Sequence, residues 1–283
     1  MLFLDSLYEA LGFFYEPMFM RRSMTALFLL SLAVSGAGVL AVSRRMAFFP
    51  DAVGHSVLAG LAAGVVLGFE PQAAVLIFGV FLGLLITFLS RRGRLTSDTS
   101  LALVFSGAVA LGLALISRNP RATAGLTRWF MGDILTVGDG EILALLGLDI
   151  AAFGLFFFFY NRLILSAVFP AGLKHMVWAD YLFGAFLAAV SVLAVQAVGV
   201  LLATALLVTP AAAGRLAASS GRSLFWLALF FSLASGQLGL WISFQPGVNT
   251  SAGATVVLAG LAFLVLVSLY SRLKPRFRRQ ERS

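Results

Sequence analysis

The sequence predicts an all-α protein, a polytopic transmembrane helix bundle of eight to nine spans with an N-terminal interfacial helix. Hydrophobic residues make up 60% of the 283 residues and charged residues only 11%, whereas soluble domains carry about 25% charged residues. The mean hydropathy is +0.99. The apolar runs are long and unbroken, unlike the alternating strands of a porin-type barrel. The 27 Phe also exclude a disordered chain, so we expect the surface to face a lipid bilayer.

Nine apolar runs approach the length of about 20 residues that a spanning helix needs. In chain order they are Met24 to Val42, Ala52 to Gly68, Pro71 to Leu89, Thr99 to Ser117, Ile142 to Tyr160, Tyr181 to Val198, Gly199 to Ala213, Leu224 to Ser243 and Ala252 to Ser271. The sixth and seventh come from one long run. We divide it at Gly199, because glycine tolerates a turn and Pro210 is expected to end the second half. Left undivided, the run gives eight spans.

The chain divides into an N-terminal interfacial segment of residues 1–23, a transmembrane domain of residues 24–271 and a basic tail of residues 272–283. The first segment is aromatic-rich but interrupted by Asp5, Glu9 and Pro17, which favours a helix lying in the interface. It lacks the basic start, apolar core and small-residue site of a cleaved signal peptide.

The net charge of +8 comes from short basic clusters between the apolar runs, which favours a membrane topology signal over a nucleic-acid surface. The basic tail predicts a cytoplasmic C-terminus. Counting back through nine spans then places the N-terminus outside, whereas eight spans place it inside, where Arg21 and Arg22 fit better. The absence of Cys excludes disulfides and thiolate metal sites. The sequence contains no G-x-x-x-x-G-K-[ST] loop, so an ATP-driven process needs another polypeptide.

Asp51 and His55 form the clearest cluster of ionisable groups beside a span, where each charge costs at least about 2.5 kcal/mol at the helix centre. Pro50 is suited to the first turn of a helix. The spacing i, i+4 then places the carboxylate and the imidazole on one face. An oxygen and a nitrogen ligand without thiolates suit Mn²⁺, Fe²⁺ or Zn²⁺. The alternative is structural, with Asp51 capping the helix and His55 bonding a neighbouring carbonyl.

Asp149 lies near the centre of its predicted span. It is either an ion or proton site facing the bundle interior, or a buried hydrogen-bonding partner of a Ser or Thr on a neighbouring helix. The segment from Gly199 to Arg215 is short and interrupted by Pro210, as in broken helices that line transport cavities. A packing kink explains it equally well.

Residues 44–55 read RRMAFFPDAVGH, which resembles the signature of the ABC-3 family, the membrane permeases of bacterial ATP-binding-cassette importers for zinc, manganese and iron. Three further matches follow in the family's order. They are residues 96–117 (TSDTSLALVFSGAVALGLALIS) with its D-T-x-x-x-x-x-F-S span, residues 130–135 (FMGDIL) with its F-G-D-I-L loop, and residues 196–216 (QAVGVLLATALLVTPAAAGRL) with its V-G-x-L-L-x-x-A-L-L-x-x-P-A-A-x-A segment. The resemblance covers nearly the whole chain.

This resemblance implies a multi-pass permease of the bacterial inner membrane that moves Mn, Zn or Fe and holds no permanently bound cofactor. It implies three partners: a second permease subunit, like or unlike, a pair of cytoplasmic ATPase subunits, and an extracytoplasmic metal-binding protein. In the family, an acid and a histidine of the signature helix are regarded as lining the metal path, and the matching positions here are Asp51 and His55. The permease itself is not an enzyme, since ATP hydrolysis belongs to the separate subunit.

Two stretches depart from the family pattern. Pro50 stands where the family usually has Gly, which leaves both metal-path residues in place. The family also usually has a longer F-D-P-x-x-A-x-x-x-G stretch that forms the helix docking into the ATPase, whereas residues 168–174 here read VFPAGLK, shorter and without the acid.

Two rival functions stay open at this point. One is a secondary ion-coupled carrier without an ATPase partner, with Asp149 as its proton site. The other is a membrane interaction protein that transports nothing.

Overall fold

The computed structural model describes residues 18–91, 96–118, 134–168, 177–245, 247–248 and 250–273, and among these it is helical without any strand. The helices are α1 (Met18–Ser43), α2 (Phe49–His55), α3 (Val57–Leu67), α4 (Pro71–Arg91), α5 (Ser97–Arg118), α6 (Asp139–Val168), α7 (Val177–Val198), α8 (Val200–Ala217), α9 (Gly221–Ser243) and α10 (Ala252–Leu273), with a 3₁₀ turn at Ile134–Thr136 before α6. The predicted all-α class is confirmed.

Eight of the described helical stretches are long and apolar enough to cross a membrane, counting α2 and α3 together. They match eight of the nine predicted runs. The remaining run, Ile142 to Tyr160, is also helical and lies within α6, which carries Asp139, Glu141 and Asp149 as well. α1 is the most enclosed span, with 83% of an apolar 18-residue stretch buried inside the bundle, and α10 is the least enclosed, with 22%. α1 therefore lies at the centre of the bundle and α10 at its periphery.

Charged side chains mark two opposite ends of the bundle. At the first, here called the Arg22 end, Arg22 of α1 pairs with Asp139 at the start of α6 at 3.1 Å. At the second, the Arg44 end, Asp180 in the first turn of α7 pairs with Arg44 and Arg91, which follow α1 and close α4. Arg44 and Arg91 therefore lie together at this end of the bundle.

The helix α6 runs from the Arg22 end to the Arg44 end, parallel to α1. It starts beside Arg22, and further along, Phe156 lies against Gly36 of α1. Phe159 then packs edge-on against Trp178 in the first turn of α7, with ring centroids 5.3 Å apart. Because α7 begins at the Arg44 end, α6 traverses the bundle, and the described helices support the nine-passage count.

The second passage is broken at Ser56, which sequence analysis did not predict. The backbone N–H of Ser56 bonds the carbonyl of Val53 instead of continuing the α-helical pattern, and its buried hydroxyl donates to the same carbonyl. A serine hydroxyl that bonds the preceding turn bends or interrupts a helix. The passage therefore consists of the seven-residue α2 and the separate α3.

The predicted division at Gly199 is confirmed, but the expected helix end at Pro210 is wrong. Gly199 has φ 84 and ψ 163, a conformation that essentially only glycine adopts, and it separates α7 from α8. Pro210 is buried inside α8, which continues to Ala217. Neighbouring helices allow a proline within a membrane helix to persist, because they hold the segment in place around the lost hydrogen bond.

Three predicted features fall wholly or partly outside the described residues. Residues 1–17 are outside, and α1 already begins at Met18, so the interfacial placement of residues 1–23 stays a prediction. Most of the predicted docking stretch, with residues 169–174, also lies outside the described part of the chain, as does the basic tail from residue 274.

Candidate metal-path site

The helix that carries Asp51 and His55 begins as its sequence predicts. Pro50 occupies the first turn of α2, where its missing N–H leaves no hydrogen bond unmade, and Asp51 follows it in the same turn. His55 ends the helix just before the break at Ser56. The two ionisable residues therefore belong to a short helix of their own rather than to a continuous span.

The structure brings the Asp51 and His55 side chains together. His55 Nδ1 lies 3.5 Å from the Asp51 Oδ1 carboxylate oxygen and 2.9 Å from the Asp51 carbonyl oxygen. The side chains are 45% and 33% exposed, respectively. This arrangement confirms that they share one face of the helix, as the i, i+4 spacing predicts.

The backbone contact of His55 determines which ring nitrogen is suited to a metal. A histidine that donates Nδ1–H to a carbonyl carries its lone pair on Nε2, and such bonds fix the tautomer and the ring orientation of metal ligands. The ring also packs edge-on against Phe105 of α5, with centroids 5.4 Å apart. His55 is thus held from two sides, by its own helix and by α5.

A cavity of about 250 Å³ lies between α2 and α5 and contains a second carboxylate. Its walls are Phe48, Asp51, Ala52, Asp98, Leu101, Ala102 and Phe105. Asp98 is in the first turn of α5, at the Arg44 end of the bundle. The sequence did not single out Asp98, although Asp98 is the acid of the D-T-x-x-x-x-x-F-S match. The available signal was its position immediately before the predicted span that begins at Thr99.

The site lies partway along the length of the bundle rather than at the Arg44 end. Phe49 of α2 packs against Gly83 of α4, and Val53 packs against Gly79. At a rise of 1.5 Å per residue, these levels lie roughly 12–18 Å along α4 from Arg91. Ionisable side chains at such depth normally face a cavity or another protein surface.

Within the described part of the chain, Asp51 and His55 have no third ligand of the usual kind beside them. Among the described residues, no group of three or more His, Cys, Asp or Glu side chains is placed to hold one metal ion. Two protein ligands are fewer than the four of a structural zinc site. The pair fits weak, partly hydrated binding of an ion in passage better than permanent retention.

Asp149 does not belong to this cavity. It is half-buried on α6 and faces the backbone near Ala33 of α1. Neither of its carboxylate oxygens is hydrogen-bonded to a Ser or Thr side chain within the described part of the chain. The bond to a Ser or Thr side chain that a structural role predicts is therefore missing among the described residues.

A larger cavity of about 640 Å³ opens among the helix termini at the Arg22 end. Its polar walls include Glu70, Gln72, Glu141 and Gln196. Both glutamates also cap helix starts, since Glu70 accepts from the N–H of Ala73 and Glu141 from that of Gly138. This cavity is separate from the one that contains Asp51.

Comparison with known proteins decides the family. The profile described as the ABC 3 transport family matches residues 16–271. The chain belongs to this family. The ABC 3 match includes all the helices from α1 to α9 and nearly all of α10, and thus both Asp51 and His55.

Relatives within the ABC 3 family extend over nearly the whole chain. The manganese import system permease protein ScaB of Streptococcus gordonii is 30% identical over 92% of this chain and 93% of its own. The high-affinity zinc uptake system membrane protein ZnuB of Haemophilus influenzae is 28% identical over 86% of this chain and 94% of its own. Among solved structures, PsaBC from Streptococcus pneumoniae in complex with Fab superposes with a TM-score of 0.75 at 28% identity, covering 93% of this chain and 95% of that one.

Proposed function

We propose that this protein is the membrane permease of an ATP-binding-cassette importer for a divalent transition metal, Mn, Zn or Fe. The observation that carries the proposal is the Asp51 and His55 pair, which presents oxygen and nitrogen ligands on one short helix beside a cavity. This ligand set suits these ions. Relatives named for manganese import and zinc uptake support the same class of cargo.

The pair replaces part of the hydration shell of an ion as it passes through the bundle. A cation that leaves water for a site of low dielectric loses solvation, and the Asp51 carboxylate offsets that loss through its charge. Asp98 is the next carboxylate in the same cavity, on the side of the Arg44 end. An ion released from His55 toward that end therefore meets a second anionic group.

A second permease subunit completes the site in this proposal. Asp51 and His55 keep much of their side-chain surface exposed although they lie at mid-depth, and an exposed carboxylate facing lipid is unfavourable. A second copy or a related chain covers this face and contributes further ligands. Separate ATPase subunits and an extracytoplasmic metal-binding protein complete the importer.

The orientation follows from the clustering of basic residues. Arg44 and Arg91 lie together at the Arg44 end, and basic residues favour the cytoplasmic side. We assign the Arg44 end and the C-terminus to the cytoplasm of a bacterial cell, and the Arg22 end to the outside. Import then moves the ion from the Arg22 end toward Asp98.

The experiment is metal uptake by proteoliposomes that contain the permease, its ATPase and its metal-binding protein. We expect ATP-dependent accumulation of at least one of Mn²⁺, Fe²⁺ and Zn²⁺, and its loss in Asp51→Asn. Uptake driven by a proton gradient without ATP, and abolished by Asp149→Asn, would support the secondary carrier instead. Membership in the ABC 3 transport family favours the first outcome.

A further inference from the structure

Three side chains at the Arg44 end form an ion-pair cluster, here called the Asp180 clamp. The Asp180 carboxylate lies between two guanidinium groups, with Oδ1 2.9 Å from Arg44 Nη1 and Oδ2 in contact with Arg91 Nη1. The Arg44 group also lies 4.3 Å above the ring of Phe183, one turn further along α7. The clamp thereby connects three segments, which are the residues just after α1, the end of α4 and the first turn of α7.

The clamp is shielded from solvent, so its charges interact strongly. The side chains of Arg44, Asp180 and Arg91 are 10%, 23% and 30% exposed. Burial, and after it the charge of Arg91, lowers the pKa of Arg44 from its ordinary value to about 10. Without the Asp180 carboxylate, two poorly hydrated guanidinium groups would face each other, and removing one partner of a buried pair is more disruptive than losing a surface pair.

Beneath the clamp, α4 and α7 remain in close contact along most of their length. Gly184 leaves no room for a side chain beside Thr87, and a Cβ at Gly83 would lie 2.6 Å from that of Ala188. One level deeper, Gly79 lies directly against Val192. Small residues at such positions let two helix backbones approach closely, so α4 and α7 pack as one unit below the clamp.

The helix α2 rests on this α4–α7 unit. Phe49 is fully buried, and its ring lies 3.2 Å from the Cβ position of Gly83. On the other side of Asp51, Val53 lies 3.6 Å from the Cβ position of Gly79. Gly54 similarly faces Val195 of α7 at 3.2 Å. The metal-path pair is therefore attached to α4 and α7 through its neighbours in the sequence.

A tight turn also connects the clamp to α2 through the chain. Arg45 adopts a left-handed φ of 58, and the N–H of Met46 bonds the carbonyl of Ala41 at 2.8 Å. The N–H of Phe49 then bonds the carbonyl of Met46 at 3.1 Å. Hydrogen bonds thus fix the path from Arg44 to the start of α2.

We propose that Asp180 is a positioning residue of the transport cycle, which keeps α2, α4 and the start of α7 together as one rigid lever. α7 begins at Val177, just after the stretch of residues 168–174 that corresponds to the family's ATPase-docking segment. A movement of residues 168–174 is transmitted to Asp51 and His55 only if the first turn of α7 is held against α4 and α2. This inference rests on the proposed function.

The first test removes the negative charge of the Asp180 side chain and keeps its size. In the reconstituted importer, Asp180→Asn is expected to lower the maximal uptake rate about tenfold, with the KM for metal nearly unchanged, because a transmission defect spares binding. ATP hydrolysed per ion taken up is expected to rise. Asp180→Glu, which restores the charge, is expected to recover most of the uptake. Arg91→Gln, a change at the more exposed partner, tests the same contact if Asp180→Asn does not fold.

The matched control is Asp139→Asn, which breaks the Arg22 pair at the opposite end. It is expected to leave the ratio of ATP hydrolysed to metal transported as in the wild type. If both Asp180→Asn and Arg91→Gln keep the wild-type uptake rate and the wild-type ratio of ATP hydrolysed to metal transported, the proposed role of the clamp is wrong. The proposed function would still stand. Wild-type uptake that does not depend on ATP would overturn the proposed function, and the clamp with it.

The second test cross-links α4 to α7 with a disulfide instead of breaking the ion pairs of the clamp. The chain has no native Cys, so a pair introduced as Thr87→Cys and Gly184→Cys reacts without competition. The Cβ of Thr87 lies 3.3 Å from the Cβ position of Gly184, close to the roughly 3.5–4.5 Å of a disulfide. A rigid lever predicts equal uptake by the oxidised and reduced double variant. Uptake blocked by oxidation and restored by a reductant would mean that α4 and α7 separate, and would overturn the proposal.

Discussion

His55 Nδ1 lies 2.9 Å from the backbone carbonyl of Asp51, one turn earlier on the same short helix. This contact orients the imidazole and leaves Nε2 as the ring nitrogen that carries the lone pair. The sequence left two readings of the two residues, a metal path and a purely structural role. The observed geometry is compatible with both, because the carbonyl bond expected of a structural histidine also fixes the tautomer of a metal ligand.

The metal-path assignment predicts that Asp51→Asn and His55→Ala reduce uptake while the protein remains folded and inserted. Mutations of groups that merely support a metal ligand cost about 10–100-fold, so loss of a ligand should cost at least as much. Initial rates of uptake of radioactive metal into proteoliposomes measure the effect. Glu70→Gln, which alters a helix-capping acid at the Arg22 end, is the control. Wild-type rates in both Asp51→Asn and His55→Ala would contradict the assignment.

The shared cavity predicts a separate role for Asp98 in release of the ion. Asp98→Asn is expected to slow uptake several-fold and to leave equilibrium metal binding at Asp51 and His55 intact, because among the described residues Asp98 forms no three-ligand group with them. Binding is measured on the purified permease by calorimetry, and uptake in proteoliposomes. Asp98→Glu keeps the charge and serves as the control. Loss of binding in Asp98→Asn would instead make Asp98 a direct ligand.

The joint between α7 and α8 predicts a specific loss of stability. Gly199→Ala places a Cβ on a backbone with φ 84 and ψ 163, which costs about 1–3 kcal/mol. Gly147→Ala, in the middle of α6 with no neighbour within 4 Å of its Cβ position, should be neutral or stabilising by roughly 0.5–1 kcal/mol. Thermal unfolding in detergent compares the two. Equal melting temperatures would show that the joint relaxes without strain.

The two ends of the bundle predict opposite signals from topology reporters. A reporter fused after Ser283 is expected to be cytoplasmic, since α10 runs toward the Arg44 end, where basic residues cluster. A reporter inserted between Arg121 and Gly138 is expected to be external, because α6 starts beside Arg22. Protease protection in spheroplasts provides an independent measurement. A cytoplasmic signal from the inserted reporter would contradict the nine-passage count.

Much of the helical organisation was predictable, because span length and apolar composition are properties of the sequence itself. The division at Gly199 followed from a run too long for one span and from the one residue type that tolerates such backbone angles. The break at Ser56 had no comparable signal, since a serine within an apolar run is compatible with an unbroken helix. Pro210 gave a misleading signal, because its effect is offset by the packing of neighbouring helices.

The site was predictable only where its residues are close in sequence. Asp51 and His55 are one helical turn apart, so their spacing predicts their contact. Asp98 lines the same cavity as Asp51 because α2 and α5 pack side by side, which is a tertiary relationship without a local pattern. The Asp180 clamp likewise joins residues far apart in the sequence, and individual charges at helix ends do not specify their partners.

The seven-residue length of α2 has a thermodynamic consequence for the whole bundle. A helix of seven residues makes only a few hydrogen bonds of its own, so α2 keeps its shape through the helices around it. An ion that favours this shape must then favour the surrounding arrangement by the same free energy, and an arrangement that deforms α2 must weaken the ion's hold. In the proposed transport cycle, binding and release of the ion are therefore governed by the same equilibrium between two arrangements of the helices around α2.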